Sequence, residues 1–375
     1  MRLEKWVESV LRRFHRHGFE AYAVGGCVRD ALLGRTPHDY DITTSALPRE
    51  IRALFEETVD IGGFGTVCVI LPQGRVEVTT FRADGSYEDH RHPDKVRFGV
   101  SLAEDVRRRD FTVNALCWDG DRVIDLVDGQ KDLRDSVMRT VGDPRQRFAE
   151  DPLRILRLYR FAAQLDFTVD PETESAARRA APLLAGIGAP RIGDELDKLL
   201  LTPRPESGRA VFPLLPGGFA AKGTLSDLPP DLICRWAGLF FRAGKDEAPA
   251  VSFLRGLHRS NRIVYGTRDV LRGLAREDDI GHLLWKYGRE TTERILHIKD
   301  PARLDELRAF LSSGRCWRPE DLALNGFDLL SAGVPPKQIG ETLSRLTEHV
   351  LSHPEDNTPE RLRQLIKERQ NEKDQ

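Results

Sequence analysis

Residues 21–42 read AYAVGGCVRDALLGRTPHDYDI, and their division into strand, turn and helix decides the fold. Ala21–Val24 is a short β-rich run, Gly25-Gly26 stops it, and Cys27-Val28-Arg29-Asp30 continues as a helix. Adjacent glycines let backbone N–H groups approach a ligand closely, and a helix N-terminus directs its positive end there; both favour phosphate. Arg29, one turn on, can add a charge-assisted hydrogen bond. A Gly-Gly turn is also an ordinary strand-to-helix junction, so two readings stand for Gly25, Gly26 and Arg29. Further along comes His38-Asp39-Tyr40-Asp41-Ile42. In a strand, alternate side chains share a face, which places Asp39 and Asp41 together. Two carboxylates that close repel each other unless a cation lies between them, and Mg²⁺ is a hard ion that takes carboxylate and phosphate oxygens. Glu77, inside Arg75-Val76-Glu77-Val78-Thr79, reads either as a third carboxylate of that site or as a solvent-facing edge residue.

Outward from this stretch, residues from about 20 to 140 carry further strand runs: TVCVILP, RVEVTTF, KVRFGV and RVIDLV, bounded by Gly, Pro or Asp. Helical patterns fall at 48–57 and 111–117, and the first residues, MRLEKWVESVLRRFHRHGF, space Leu3, Trp6, Val7, Val10, Leu11 and Phe14 as one helix face. The expectation is an α+β domain with a small mixed or antiparallel sheet. Beyond about residue 145 helices take over, beginning with 151–165, 172–185 and 190–201 and ending with 336–351 and 358–371. A Gly/Pro-rich connection occupies 203–230, and a break falls between 278–286 and 288–297. Domain borders are predicted near 140, 205 and 320, giving segments 1–140, 141–205, 206–320 and 321–375.

The chain has 375 residues, with 57 Lys+Arg against 59 Asp+Glu and a net charge of −2. With 40% hydrophobic and 31% charged residues it has the composition of a soluble globular protein. No apolar run approaches the roughly 18–20 residues of a membrane helix, and none serves as a signal-peptide core. The five cysteines are scattered without a CxxC pair, which predicts idle thiols in a reducing cytoplasm rather than a disulfide framework or zinc site. Near-zero net charge leaves room for a nucleic-acid partner, because Arg clusters locally at 107–109 and again at 145, 147, 154, 157 and 160.

Gly25-Gly26-x-x-Arg29-Asp30 followed by Asp39-x-Asp41 resembles the signature of the nucleotidyltransferase superfamily, in particular its class II tRNA nucleotidyltransferase (CCA-adding enzyme) and bacterial poly(A) polymerase branch. Arg108-Arg109-Asp110-Phe111-Thr112-Val113-Asn114-Ala115 resembles that family's second motif, and Glu150-Asp151-Pro152-Leu153-Arg154, continuing to Arg157 and Arg160, resembles its nucleotide-selecting motif. Asn325-Gly326-Phe327-Asp328-Leu329 and Ile339-Gly340 resemble the tail of the bacterial enzymes.

The resemblance implies a β-containing nucleotidyltransferase head, then helical neck, body and tail. It implies transfer of a nucleoside monophosphate from CTP or ATP to the 3′ hydroxyl of tRNA, adding C, C and A without a nucleic-acid template. Asp39 and Asp41 would be catalytic ligands of two Mg²⁺ ions, with Glu77 as a further candidate. Gly26, Arg29 and Arg109 would hold the nucleotide, supported by Gly25, Asp110, Asn114 and Glu150. Asp151 and Arg154 would read the base, since a carboxylate accepts from the exocyclic amine of cytosine or adenine. Residues 84–93, DGSYEDHRHP, resemble the flexible loop with which full CCA-adding relatives switch from C to A, although relatives carry Arg-Arg-Pro where this chain has Arg91-His92-Pro93. Body and tail would bind the tRNA acceptor arm through its phosphates. The alternatives within the family are a CC-adding or A-adding enzyme, or a poly(A) polymerase. Read without the resemblance, Asp151-Pro152 is equally a helix start, with Asp as cap and Pro in the first turn.

Overall fold

The computed structural model describes residues 3–37, 39–62, 65–84 and 96–373. The chain divides into two compact units, Met1–Ala220 and Ala221–Gln375.

In the first unit the amphipathic N-terminus forms helix α1 (Lys5–Arg16), which buries Val7, Val10, Leu11 and Phe14. Then follow β1 (Ala21–Val24), α2 (Gly26–Leu32), β2 (Asp41–Thr44), α3 (Pro48–Leu54), β3 (Thr58–Ile61), β4 (Thr66–Leu71) and β5 (Gly74–Thr80). A small antiparallel pair, β6 (Arg82–Asp84) and β7 (Val96–Phe98), precedes α4 (Leu102–Arg107) and the short strands β8 (Cys117–Trp118) and β9 (Val123–Ile124). The main sheet runs in the order β3-β4-β5-β2-β1-β8-β9, with β2 and β5 parallel and the other neighbours antiparallel. It is the mixed sheet of an α+β head. Strand alternation sorts its sides: Val76 and Val78 are fully buried, while Arg75 and Glu77, which alternate with them, are exposed.

After α5 (Gly129–Asp135) a parallel pair, β10 (Val137–Met138) and β11 (Thr168–Val169), links the sheet region to the helices α6 (Pro144–Glu150), α7 (Leu153–Leu165), α8 (Pro171–Ala180) and α9 (Ala189–Leu200). Helix α7 is enclosed nearly all round. Its Ile155, Leu158, Tyr159 and Ala162 are almost completely buried, and a side chain at Gly208 would come within 2.7 Å of the Tyr159 carbonyl.

The second unit is helical: α10 (Leu232–Arg242), α11 (Glu247–Gly256), α12 (Asn261–Leu274), α13 (Ile280–Lys299), α14 (Leu304–Ser312), α15 (Gly326–Ser331), α16 (Ile339–Ser352) and α17 (Pro359–Lys373). Helix α13 breaks at Gly288, whose φ of 73° lies in the left-handed region, where the sequence placed a boundary between two helices. Leu329, Val350 and Leu362 centre a separate core near the C-terminus. Among the described residues no helix is long and apolar enough to cross a membrane.

The structure corrects several local expectations. Residues 111–117 are not a helix: Thr112–Asn114 make one 3-10 turn and Cys117–Trp118 pair with β1. The alternative partner of that backbone is a sheet edge, and pairing there outweighs local helical tendency. Helix α6 was not anticipated, although Asp143 caps it and Pro144 opens it. The stretch 203–230 is not simply loop, since Pro205–Leu214 winds as 3-10 helix. Asp39 is not in a strand, because β2 begins only at Asp41. Residues 85–93 of the anticipated switching loop lie outside the described residues, as does His38.

Candidate active site

The turn between β1 and α2 is the floor of a cavity of about 680 Å³. Gly25 has φ 82°, a conformation other residues adopt only with strain; a Cβ there would lie 3.7 Å from an Asp41 oxygen, an ordinary contact. Backbone conformation, not crowding, therefore requires this glycine. Helix α2 spans only seven residues, so its dipole contributes less than the sequence argument assumed; what the turn supplies is close backbone and Arg29.

Arg29 is buried. Its Nη1 donates to Asn114 Oδ1 at 2.5 Å, its Nε donates to Asp30 at 2.8 Å, and its guanidinium lies 5.4 Å from the Phe161 ring centre. The Asn of the second motif thus holds the Arg of the first, across 85 positions of sequence.

Register sets the carboxylates. Asp41 pairs with Glu77 on the parallel strand and with Val24 on the antiparallel one. Glu77 therefore sits on an interior strand of the sheet, not on an edge, and lines the same cavity as Asp39 and Asp41. Burial, then repulsion from Glu77 and Asp39, pushes the Asp41 carboxyl up to about 6, with Arg109 opposing. Carboxylates held this close favour a counter-cation, and an all-oxygen set suits a hard divalent ion. Among the described residues no three His, Cys, Asp or Glu side chains form a ready-made metal cluster, so further oxygens must come from outside this set.

The cavity is also lined by arginines. Arg109 lines the cavity with its Nε buried and unpartnered. Asp110 accepts from Arg157 through both Nε (2.9 Å) and Nη2 (2.5 Å) and from the Phe111 N–H (2.8 Å). Burial works to raise the Asp110 pKa, but the Arg157 charge wins and holds it below the usual carboxylate range. Arg160 pairs with Glu195 at 2.6 Å and stacks 4.0 Å from the Phe161 ring.

The nucleotide-selecting stripe is divided. Positions three apart on a helix are offset by about 60°, so a line from 154 to 160 turns by about 120°. Arg157 and Arg160 reach the cavity, whereas Asp151 and Arg154 are not among its lining residues. The Arg154 guanidinium donates instead to the backbone carbonyls of Arg147 (3.1 Å) and Arg108 (2.8 Å) and to Glu150 (2.9 Å). Glu150 also accepts from Arg147, so it belongs to this brace. Asp151 Oδ1 accepts from the Leu153 N–H at 3.1 Å, the helix-start contact, and lies 3.9 Å from Arg191; burial raises its pKa. Sequence reading missed Arg75, Phe161, Gln164 and Lys198 in the cavity wall. Strand alternation with Glu77 and helical spacing from Arg157 and Arg160 could have found the first three; Lys198 comes from α9, which only tertiary packing brings near.

The fold and this cleft define a nucleotidyltransferase head joined to helices. The family description "Poly A polymerase head domain" matches residues 21–139, and "Probable RNA and SrmB- binding site of polymerase A" matches 166–210. A CCA-adding enzyme of Enterococcus faecalis is 38% identical over 97% of this chain and 95% of its own length, and one of Geobacillus kaustophilus is 36% identical over 96% of each. The crystal structure of the Bacillus stearothermophilus CCA-adding enzyme in complex with CTP superposes with a TM-score of 0.84 at 32% identity, covering 99% of this chain and 98% of that one. The chain belongs to the CCA-adding enzyme family, the tRNA nucleotidyltransferases. Divalent-metal dependence is general to that class.

Proposed function

We propose that the cavity binds CTP and ATP and that the protein adds C, C and A in turn to the 3′ end of tRNA, releasing pyrophosphate at each step. The observation that carries this is the convergence of Asp39, Asp41 and Glu77 with Arg29, Arg109, Arg157 and Arg160 on one cavity beside Gly25-Gly26. Carboxylates and guanidinium groups lining one cavity suit a triphosphate with its metal. Asp39 and Asp41 would hold two Mg²⁺ ions, with Glu77 beside them. Metal bound there supplies charge neutralisation for the attacking 3′ oxygen and the leaving pyrophosphate. The protein's own groups do the rest. Arg29 and Arg109 orient the phosphates, and the Gly25-Gly26 turn lets the backbone come close.

The base readers are Asp151 and Arg154, by resemblance. The brace uses three of the five N–H donors of Arg154, two on Nη1 and one on Nη2, so base reading can draw on Nε and the second Nη2 hydrogen without breaking it. Segments 1–140, 141–205, 206–320 and 321–375 serve as catalytic head, neck, body and tail, with body and tail gripping the acceptor arm by its phosphates. The setting is the cytoplasm, consistent with five buried free thiols.

One incubation tests the reading: tRNA lacking its terminal trinucleotide, given CTP alone, ATP alone, or both. The expected products are a CC end with CTP and a full CCA end with both. An end stopping at CC despite ATP identifies a partial enzyme, and a long A tail identifies a poly(A) polymerase. Asp41→Ala abolishes incorporation while tRNA binding survives; persistent turnover would remove the metal assignment. Asp151→Ala relaxes discrimination against UTP and GTP more than it weakens triphosphate binding. Unchanged discrimination would leave Asp151 a helix cap.

A further inference from the structure

Behind the cavity wall lies a carboxylate that the reaction scheme does not use. Asp105, on α4, is completely buried and does not line the cavity. Its oxygens accept five hydrogen bonds from three parts of the head. Oδ1 takes Nε and Nη2 of Arg108 (2.9 and 2.7 Å) and the backbone N–H of Arg82 in β6 (3.3 Å). Oδ2 takes the Thr43 hydroxyl (3.0 Å), two residues beyond Asp41 in β2, and Nη2 of Arg109 (3.1 Å). The spacing is i, i+3 and i+4, which puts Arg108 and Arg109 on the same face as Asp105 at the end of the helix.

A carboxylate with no exposure is tolerated only when it is fully paired, and this one is. The consequence falls on Arg109. Its other carboxylate neighbour is Asp41, whose charge and that of Arg109 act on each other. Without Asp105, Asp41 is the carboxylate left to attract the Arg109 guanidinium, and an arginine drawn to it would compete with a metal and with phosphate. Asp105 anchors one Nη on the far side. We propose that Asp105 is a positioning residue for nucleotide binding: it holds Arg109 facing the cavity and off the metal carboxylates, and through Thr43 and β6 it fixes that anchor to the strand bearing Asp41. The inference rests on the reading of the cavity as the nucleotide site.

The test is a double-mutant cycle on CTP affinity, measured by calorimetry on the full chain in wild type, Asp105→Asn, Arg109→Met and the double variant. Asp105→Asn weakens CTP binding by about tenfold in the wild-type background. In the Arg109→Met background the same change costs less than about twofold, because the group it acts through is gone. Equal losses in both backgrounds, or a lowered melting temperature with CTP affinity unchanged, overturn the proposal and leave Asp105 a structural residue. Should Asp105→Asn not fold, Thr43→Val replaces it in the cycle, with an expected loss of about threefold that disappears beside Arg109→Met; equal losses there overturn the proposal in the same way. A wild-type protein that binds no CTP at all overturns the reading of the cavity itself, a result distinct from a multiplicative cycle.

Discussion

Asp110→Asn is the sharpest probe of the link between the head motifs and α7. The substitution keeps the size of the side chain and removes its charge. In the native pair, Oδ2 accepts both Arg157 donors and Oδ1 accepts the buried Phe111 N–H. An amide has one acceptor oxygen, so it can serve the guanidinium or the Phe111 N–H but not both. Losing a charge-assisted bond costs about 1.5–3 kcal/mol and stranding a buried donor about 1–3 kcal/mol. Arg157 is about one-third exposed, which discounts the first figure toward its lower end. Because the amide keeps one of the two bonds, these losses are alternatives rather than additive, and the expected cost is about 1.5–3 kcal/mol. For a unit of 220 residues that lowers its Tm by at least about 3 °C.

Thermal melts followed by circular dichroism from pH 3 to pH 8 measure both size and pH dependence. The Asp110 carboxyl is held below its ordinary value in the fold, so its stabilising contribution is present above that ordinary value and lost as pH falls through the lower, folded one. The gap between wild type and variant should therefore stay level from pH 8 down to about 5 and close only in stronger acid. A gap below 1 °C at pH 7, or one that fades between pH 7 and 5, would refute the reasoning.

Three further outcomes follow from the same geometry. In metal-free protein, Asp41→Asn should melt above wild type by a margin that is level from pH 8 down to about 6, shrinks below that and vanishes only below about pH 4, because the Asp41 carboxyl is raised to about 6 in the fold and its ionisation penalty builds up between its ordinary value and 6; a difference that does not vary with pH contradicts this. A Cβ on Gly129 would sit 2.3 Å from the Thr112 carbonyl oxygen, so Gly129→Ala should cost about 2 kcal/mol or more and weaken CTP binding by shifting the turn that carries Asn114, measured by melting and calorimetry. Arg154→Met leaves two backbone carbonyls and Glu150 without their guanidinium and should destabilise by about 2–4 kcal/mol. An unchanged Tm would mean that the brace contributes nothing and that Arg154 is free to serve the base alone.

The local motifs were legible because each is short and carries its own physics. A strand stopped by two glycines, an arginine one turn on, and acidic residues two apart can be read from spacing. The amphipathic face of α1 can be read the same way, and so can the break in α13, marked by Gly288. The helix predicted over 111–117 failed because its residues suit a strand as well as a helix, and the vacant edge of β1 decided between them. The two aspartates do share a site, but not by the alternation that sequence reading invoked, since only Asp41 belongs to a strand.

The sequence alone determined which chemical groups are present and the order in which they occur: the glycine turn, the carboxylates, the arginine-rich motifs and a helical remainder. Tertiary structure decided which of them meet. Parallel pairing of β2 with β5 brought Glu77 beside Asp41. Helical drift sent Arg157 and Arg160 into the cavity while turning Arg154 back onto the carbonyls of Arg108 and Arg147. Asp105 and Lys198 gained their places from packing between elements distant in the chain. The physical reason is that side-chain spacing along one element is fixed by backbone geometry, whereas register between strands and the facing of helices are set by burial of the whole core.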